Sequence, residues 1–244
     1  MPIQVNLKTA FVLSSFFFLC ASAHAQWGLT PGYRLNQADD WVLEAAATGE
    51  APQPLLGNGP SLGVDYEIHL ANTRVTFLPE LSIAYFSRSG GPLVYSRAWF
   101  SSLFAHGQIY FLDLYGDCEC PTFSKQGSLL QKGLFLRLSP GLTFLSNTLE
   151  AQVAGPEPAG SSPTELADMQ SLTFSIGAGL GLDIGLSDRL TLTPLAEARY
   201  FQKLKWDSLS SLWSGSSTLY TLRHEESNMW QVHVGLRVGL RLDQ

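Results

Sequence analysis

From Trp230 to Leu242 every second residue is apolar. Trp230, Val232, Val234, Leu236, Val238, Leu240 and Leu242 alternate with Gln231, His233, Gly235, Arg237, Gly239 and Arg241. Successive side chains on an extended strand point to opposite faces, so this run defines a strand with one apolar and one polar face. A helix would scatter a period of two around its circumference, and no helix is expected here.

The same period recurs along the chain. Leu62, Val64, Tyr66, Ile68 and Leu70 alternate with Gly63, Asp65, Glu67 and His69. Val75, Phe77, Leu81, Ile83 and Tyr85 alternate with Thr76, Glu80 and Ser82. Leu134, Leu136, Leu138, Leu142 and Phe144 alternate with Arg137, Ser139, Gly141 and Thr143, with Phe135 interrupting the polar face. Leu172 to Leu186 alternates with Thr173, Ser175, Gly177, Gly179, Gly181, Asp183 and Gly185. Leu190, Leu192, Ala196, Ala198 and Tyr200 alternate with Thr191, Thr193, Glu197 and Arg199. Residues 103–114 are strand-like but less regular, with His106 and Gln108 on one face.

These segments outrun the average strand of about 5–6 residues and match the roughly 9–11 that a tilted strand needs to cross a bilayer. Their polar faces hold mainly Gly, Ser and Thr. Charged residues make up 15% of the chain, against about 25% in ordinary soluble domains. A water-facing surface would carry more Lys and Glu. Small residues with a few charges of both signs suit the crowded interior of a narrow barrel. The net charge of −6 and the lack of a basic run exclude nucleic acid as a partner. The expectation is an all-β fold, an eight-stranded antiparallel up-and-down transmembrane β-barrel of the outer membrane, with the lipid bilayer against its apolar face. A secreted soluble β-barrel that binds a small apolar ligand is the competing fold-level reading.

The N-terminus supports an exported protein. Lys8 precedes an apolar stretch from Ala10 to Leu19, and Ala23-His24-Ala25 supplies small residues before Gln26. Residues 1–25 read as a signal peptide cleaved after Ala25. The apolar core is too short for a membrane anchor, and the residues before Cys20 do not suit a lipoprotein site. Cleavage removes Lys8 and no acid, taking the net charge from −6 to −7.

Short turns are expected at Ala71–Arg74 and Ser187–Arg189, where Asn and Asp suit tight hairpins. Longer connections are expected at 87–98, 146–170 and 204–229, on the opposite end. Seven strands are clear, and single-chain barrels normally have an even number. The eighth should precede Leu62, in Trp27–Leu35 or Trp41–Ala47. The second candidate also suits a short helix. Residues 26–57 are therefore an N-terminal segment and 58–244 the barrel. The connection 115–133 falls on the short-turn side despite its length.

That connection holds Gly116-Asp117-Cys118-Glu119-Cys120-Pro121-Thr122-Phe123-Ser124-Lys125. The segment resembles a loop motif of small outer-membrane β-barrel proteins of the Bacteroidota. Phe77-Leu78-Pro79-Glu80-Leu81 and Leu138-Ser139-Pro140-Gly141 resemble parts of the same family. The resemblance covers about residues 58–244 and implies an eight-stranded barrel of largely unassigned function. The chain ends Arg241-Leu242-Asp243-Gln244, without the terminal aromatic that the outer-membrane assembly machinery, an expected partner, often reads.

Chemical signals are few. Cys118 and Cys120 are too close for an ordinary zinc pair and lack nearby histidines, which leaves a loop disulfide or a thiol pair for a partner. His69 and His233 should face the lumen. His224-Glu225-Glu226-Ser227 brings a base, carboxylates and a hydroxyl together in a loop, as an enzyme modifying outer-membrane lipids would need. The Gly177-Ala178-Gly179-Leu180-Gly181 run has no following helix and reads as a strand with a flat inner face, not a phosphate loop. Asp65, Glu67, Glu80, Asp183 and Glu197 should meet Arg137, Arg199, Arg237 and Arg241 in a lumenal network that plugs the barrel. No cofactor, metal or catalysis is expected. Surface loops would meet any ligand, whose identity the sequence does not give.

Overall fold

A computed structural model of the chain describes residues 26–45, 53–70, 73–89, 94–111, 133–151, 164–187, 189–205, 220–222 and 226–241. The signal-peptide expectation therefore lies outside the described residues. So do Cys118, Cys120, His224 and Glu225.

Twelve strands follow in chain order: β1 (Gln26–Gln37), β2 (Val42–Ala45), β3 (Gln53–Pro54), β4 (Gly59–His69), β5 (Val75–Ser89), β6 (Val94–Ile109), β7 (Leu134–Ala151), β8 (Thr164–Leu182), β9 (Ile184–Gly185), β10 (Leu190–Lys205), β11 (Tyr220–Leu222) and β12 (Glu226–Arg241). The main sheet runs β1-β4-β5-β6-β7-β8-β10-β12, and β12 returns to β1. All these pairings are antiparallel. β9 prolongs the β8 edge beside β10 after an interruption at Asp183, whose N–H donates to the Gly133 carbonyl at 2.9 Å. The result is a closed eight-stranded antiparallel barrel.

The closing strand is β1. It pairs from Gln26↔Arg241 to Gln37↔Trp230 on one side and with β4 on the other. The candidate Trp27–Leu35 is thus the eighth strand, and the barrel starts at Gln26 rather than at 58. The described part of the other candidate, Trp41–Ala45, supplies neither the eighth strand nor a helix. Its Val42–Ala45 joins β3 and β11 in a small separate sheet. β1 keeps the period: Trp27, Leu29, Pro31, Tyr33 and Leu35 face outward and alternate with Gly28, Thr30, Gly32 and Arg34.

The connections sort into two ends. Both chain ends of the barrel, the turns at 70–74 and 186–189, and the connection 110–133 share the turn end. The connections 38–58, 90–93, 152–163 and 206–225 share the loop end. The turn 70–74 is pinned by Thr73 N–H to the Leu70 carbonyl at 3.2 Å. The loops expected at 87–98, 146–170 and 204–229 are shorter, because the strands run on past the apolar alternation. β5 and β6, for example, stay paired from Val75↔Ile109 to Ser89↔Tyr95. The irregular strand expected at 103–114 likewise begins at Val94 and stops at Ile109.

The faces follow the period. Leu81, Ile83, Leu103, Leu172, Phe174, Ile176, Val234 and Leu240 are among many large apolar side chains exposed on the outside. Aromatic pairs sit near both ends of this surface. Trp27 lies edge-on to Tyr66 toward the turn end (5.1 Å between ring centroids), while Tyr85 packs on Trp99 (4.7 Å) and Tyr200 on Trp230 (5.1 Å) toward the loop end. Phe86 and Phe100, each next in sequence to one of these outer aromatics, face inward and meet edge-to-face at 4.9 Å. Along β12, Trp230 and the residue opposite Trp27, Leu240, are ten residues apart. At about 3.3 Å per residue and a tilt near 40°, that separation is roughly 25 Å along the barrel axis.

Candidate functional site: the barrel lumen

Charged and polar side chains on alternate positions have nowhere to go but the lumen, which they fill in layers. Near the turn end, Arg237 on β12 reaches across β1 to Asp65 on β4. Its Nε donates to Asp65 Oδ1 and Oδ2 at 2.9 and 3.0 Å, and its Nη2 to Oδ1 at 2.7 Å. Nη2 also lies 3.0 Å from Glu67 Oε2. The strand crossed between them carries Gly28, and a Cβ there would lie 2.4 Å from both Arg237 Nε and the Asp65 carboxylate. Glycine is needed for space, since the pair lies flat over the backbone. Asp183 accepts from the Tyr110 hydroxyl at 2.5 Å and from Thr193 Oγ1.

The middle layer holds two carboxylates. Glu80 Oε2 takes Arg137 Nη2 at 3.0 Å and His106 Nε2 at 3.1 Å. Glu197 is bidentate to Arg199, at 2.7 and 3.1 Å, and lies 3.8 Å from Arg137 Nε. Gly177 and Gly179 make room for Glu197 and Arg199, so the glycine run is the flat inner face that its alternation indicates. Arg199 stacks over Phe104, with Cζ 3.9 Å from the ring centroid. Phe135 is an apolar residue on a polar face because Gly181 faces it: a Cβ on Gly181 would lie 2.2 Å from Phe135 Cζ.

Toward the loop end the interior turns apolar. Trp41, Leu55 and Leu56, from the connection after β1, are buried with Phe86, Phe100, Leu145, Leu149, Phe201, Leu204 and Met229. The Leu55 N–H donates to the Trp41 carbonyl at 2.9 Å. Asn36 ties the base of the same connection through its N–H to Asn58 Oδ1 and its Nδ2 to the Gly57 carbonyl. Sequence reading missed this apolar layer. Its strand residues lie mostly beyond the alternating runs, and Trp41 stood at the start of a segment read as a strand or a short helix.

Of the network residues named from sequence, Asp65, Glu67, Glu80, Arg137, Glu197, Arg199 and Arg237 are buried inside, and Asp183 turns inward beside them. Arg241 ends β12, and its side chain lies outside the described residues. They form two groups, not one network. Arg34, His106 and Tyr110 are additional members. Arg34 was missed because its segment stood only as one of two candidates for the eighth strand. Of the histidines, His233 is buried without a hydrogen-bond partner, so it is not held by a carboxylate. His69 is half-exposed at the rim, 3.2 Å from Glu67 Oε1.

Two arrangements bear on catalysis. Ser227 is not in a loop: it belongs to β12, is buried, and donates to the Asn228 carbonyl at 2.9 Å. Glu226 pairs outside with Lys205 at 2.8 Å. A second set, Ser139 Oγ to His106 Nδ1 (2.7 Å) and His106 Nε2 to Glu80 Oε2 (3.1 Å), has the connectivity of nucleophile, base and acid. Ser139 and His106 are both 0% exposed. The neighbouring backbone N–H groups belong to the β-ladder, so they are not available as oxyanion donors. Among the described residues no group of three metal-ligating side chains converges.

The lumen and the two-faced wall define the class, a small closed up-and-down barrel with a charged interior and an apolar exterior. No family model matches the chain, and no curated protein matches it. Solved structures with a similar fold include a major outer membrane protein from Thermus thermophilus (12% identity, 89% of this chain and 99% of that one, TM-score 0.47). Ail, the attachment invasion locus protein of Yersinia pestis, in complex with the heparin analogue sucrose octasulfate, is similar at 8% identity over 89% of this chain and 99% of that one, with TM-score 0.44. Neisserial surface protein A is similar at 9% identity over 90% and 98%, with TM-score 0.40.

Proposed function

We propose that the chain is an integral outer-membrane protein whose barrel crosses the bilayer with a plugged lumen, and that its role is structural or surface-directed rather than catalytic. The wall carries this reading. Large apolar side chains lie exposed around it in a band bounded by aromatic pairs, and the band is about as tall as the roughly 25 Å apolar belt of membrane barrels. In water such a surface would be an extensive aggregation hazard. In lipid it is the stable arrangement, because barrel closure pairs the backbone groups that hydrocarbon cannot solvate.

Two layers support the plugged lumen: the buried charge groups in the middle and the Trp41 layer above them. The inaccessibility of Ser139 and Ser227 supports a non-catalytic role. The loop end would meet any surface ligand, the outer-membrane assembly machinery would insert the barrel, and the likeness of residues 116–125 to Bacteroidota barrels belongs to the same reading.

Fractionation with heat-modifiable gel mobility tests the membrane assignment. The protein should require detergent and migrate faster unheated than boiled; recovery in the soluble fraction would overturn the proposal. Planar-bilayer recording tests the plug. Only small or brief currents are expected, and a long-lived large open state would refute it.

A further inference from the structure

The middle of the lumen holds more positive charge than its carboxylates balance. Glu80 and Glu197 are its two acids, and Arg34, Arg137 and Arg199 its three guanidiniums. Arg137 and Arg199 are engaged by those acids. Arg34 is 0% exposed and has a hydroxyl as its partner, through Nη2 to Ser82 Oγ at 2.9 Å. Its Nε and Nη1 are buried without an acceptor. Arginine does not give up its proton in proteins and cannot accept a hydrogen bond. Neighbouring neutral groups therefore leave the charge in place, and an uncompensated charge in such a setting costs several kcal/mol.

The groups beside Arg34 have unmet capacity too. Arg199 Nη1 and both ring nitrogens of His233 are buried and unpartnered. These residues stand on adjacent strands at one level. Arg34 is directly opposite His233 across β1 and β12, and Arg199 is opposite Gln231, two residues along. Arg34 and Arg199 both sit over Phe104, with Cζ 5.9 and 3.9 Å from its centroid, so the two guanidiniums are within about 10 Å of each other. The His233 ring lies over Gly32 and Gly235, where a Cβ would come within 2.3 and 3.1 Å of its Nε2. No carboxylate forms an ion pair with Arg34 or His233 among the described residues.

We propose that Arg34, Arg199 and His233 form a buried site for a small monovalent inorganic anion, of the halide class, inside the barrel. Arg34 and His233 present nitrogens that no carboxylate engages, Arg199 presents the Nη1 left over from its bidentate bond to Glu197, and one bound anion would neutralise the excess of the middle layer. Glu197, directly opposite His233 on β10, and Glu80 border the site and select against more highly charged anions by repulsion.

Bromide is the probe. In crystals of the full barrel grown in sodium bromide, anomalous scattering should show one peak in contact with Arg34 and Arg199. Ordered water at that position, with no anomalous peak, would overturn the proposal. In solution, the Arg34 and Arg199 side-chain N–H resonances of the detergent-folded protein should shift saturably with bromide at constant ionic strength, and not with gluconate. Equal response to both anions, or none to either, would refute the site. Arg34→Gln should abolish the saturable shift at Arg199 while the backbone spectrum of the barrel is unchanged. If Arg34→Gln fails to fold, His233→Phe, which keeps both guanidiniums, should weaken bromide binding several-fold. Unaltered binding in both variants would overturn the assignment of residues.

Discussion

Arg237 and Arg34 are both arginines buried in the same lumen, and they are treated in opposite ways. Arg237 is clamped by Asp65 through three hydrogen bonds and shares Glu67. Arg34 has a single serine hydroxyl. The turn-end group contains more acid than base and the middle group more base than acid. Charge is thus separated along the barrel axis rather than cancelled level by level. A paired buried ion costs much to break, because its partner is left charged and unpaired. An ion without a counter-charge costs much to retain and little to remove.

The largest effect should come from breaking the paired site. Arg237→Met strips Asp65 and Glu67 of the guanidinium they share, with both carboxylates buried. A loss of about 3–5 kcal/mol is expected, the usual consequence of orphaning a buried charge. Urea unfolding of the vesicle-folded protein, followed by tryptophan fluorescence, measures it. A loss under about 1 kcal/mol would show that Arg237 is not the anchor its geometry describes.

Next in size is the floor beneath that pair. Gly28→Val places carbon where Arg237 Nε and the Asp65 carboxylate now lie, 2.4 Å from the position of Cβ. Overpacking of this kind costs about 1–3 kcal/mol. Gly107→Ala is the control, since a Cβ there has nothing within 4 Å. The same unfolding assay should find it near wild type. Equal losses in the two variants would mean that glycine serves backbone freedom in these strands, not space.

The comparison also explains what was legible in the sequence. Alternation assigns faces, so Asp65, Glu80, Arg137, Glu197 and Arg237 could be placed inside before any fold was known. It gives no register, so it cannot tell which acid an arginine will reach. Arg237 finds its partner two strands away across Gly28, a relation visible only once β1 lies between β12 and β4. Arg34 was hidden for a related reason. β1 stood as one of two candidate strands, so the inward place of Arg34 was not fixed until the pairings with β12 and β4 chose between them. The apolar layer around Trp41 was illegible because its inward residues look like errors in a polar face until a loop is seen to fold onto them.

At Arg34 the smallest effects discriminate most. Ser82→Ala removes its one hydrogen bond and should cost about 1.5 kcal/mol, the lower range for a bond to a charged group. Arg34→Met removes the charge itself and should cost less, within about 1 kcal/mol of wild type in gluconate buffer, because the side chain carries an unbalanced charge there. In halide the order should change. Wild type gains stability as ligand binds its native state, by about 2.7 kcal/mol at a hundred times the dissociation constant, whereas Arg34→Met gains none. Unfolding curves in the two salts at equal ionic strength read the difference directly. If Arg34→Met were instead costly in both, by the 3 kcal/mol or so expected of a broken pair, Arg34 would be balancing Glu80 and Glu197 at a distance. The two arginines would then be alike after all.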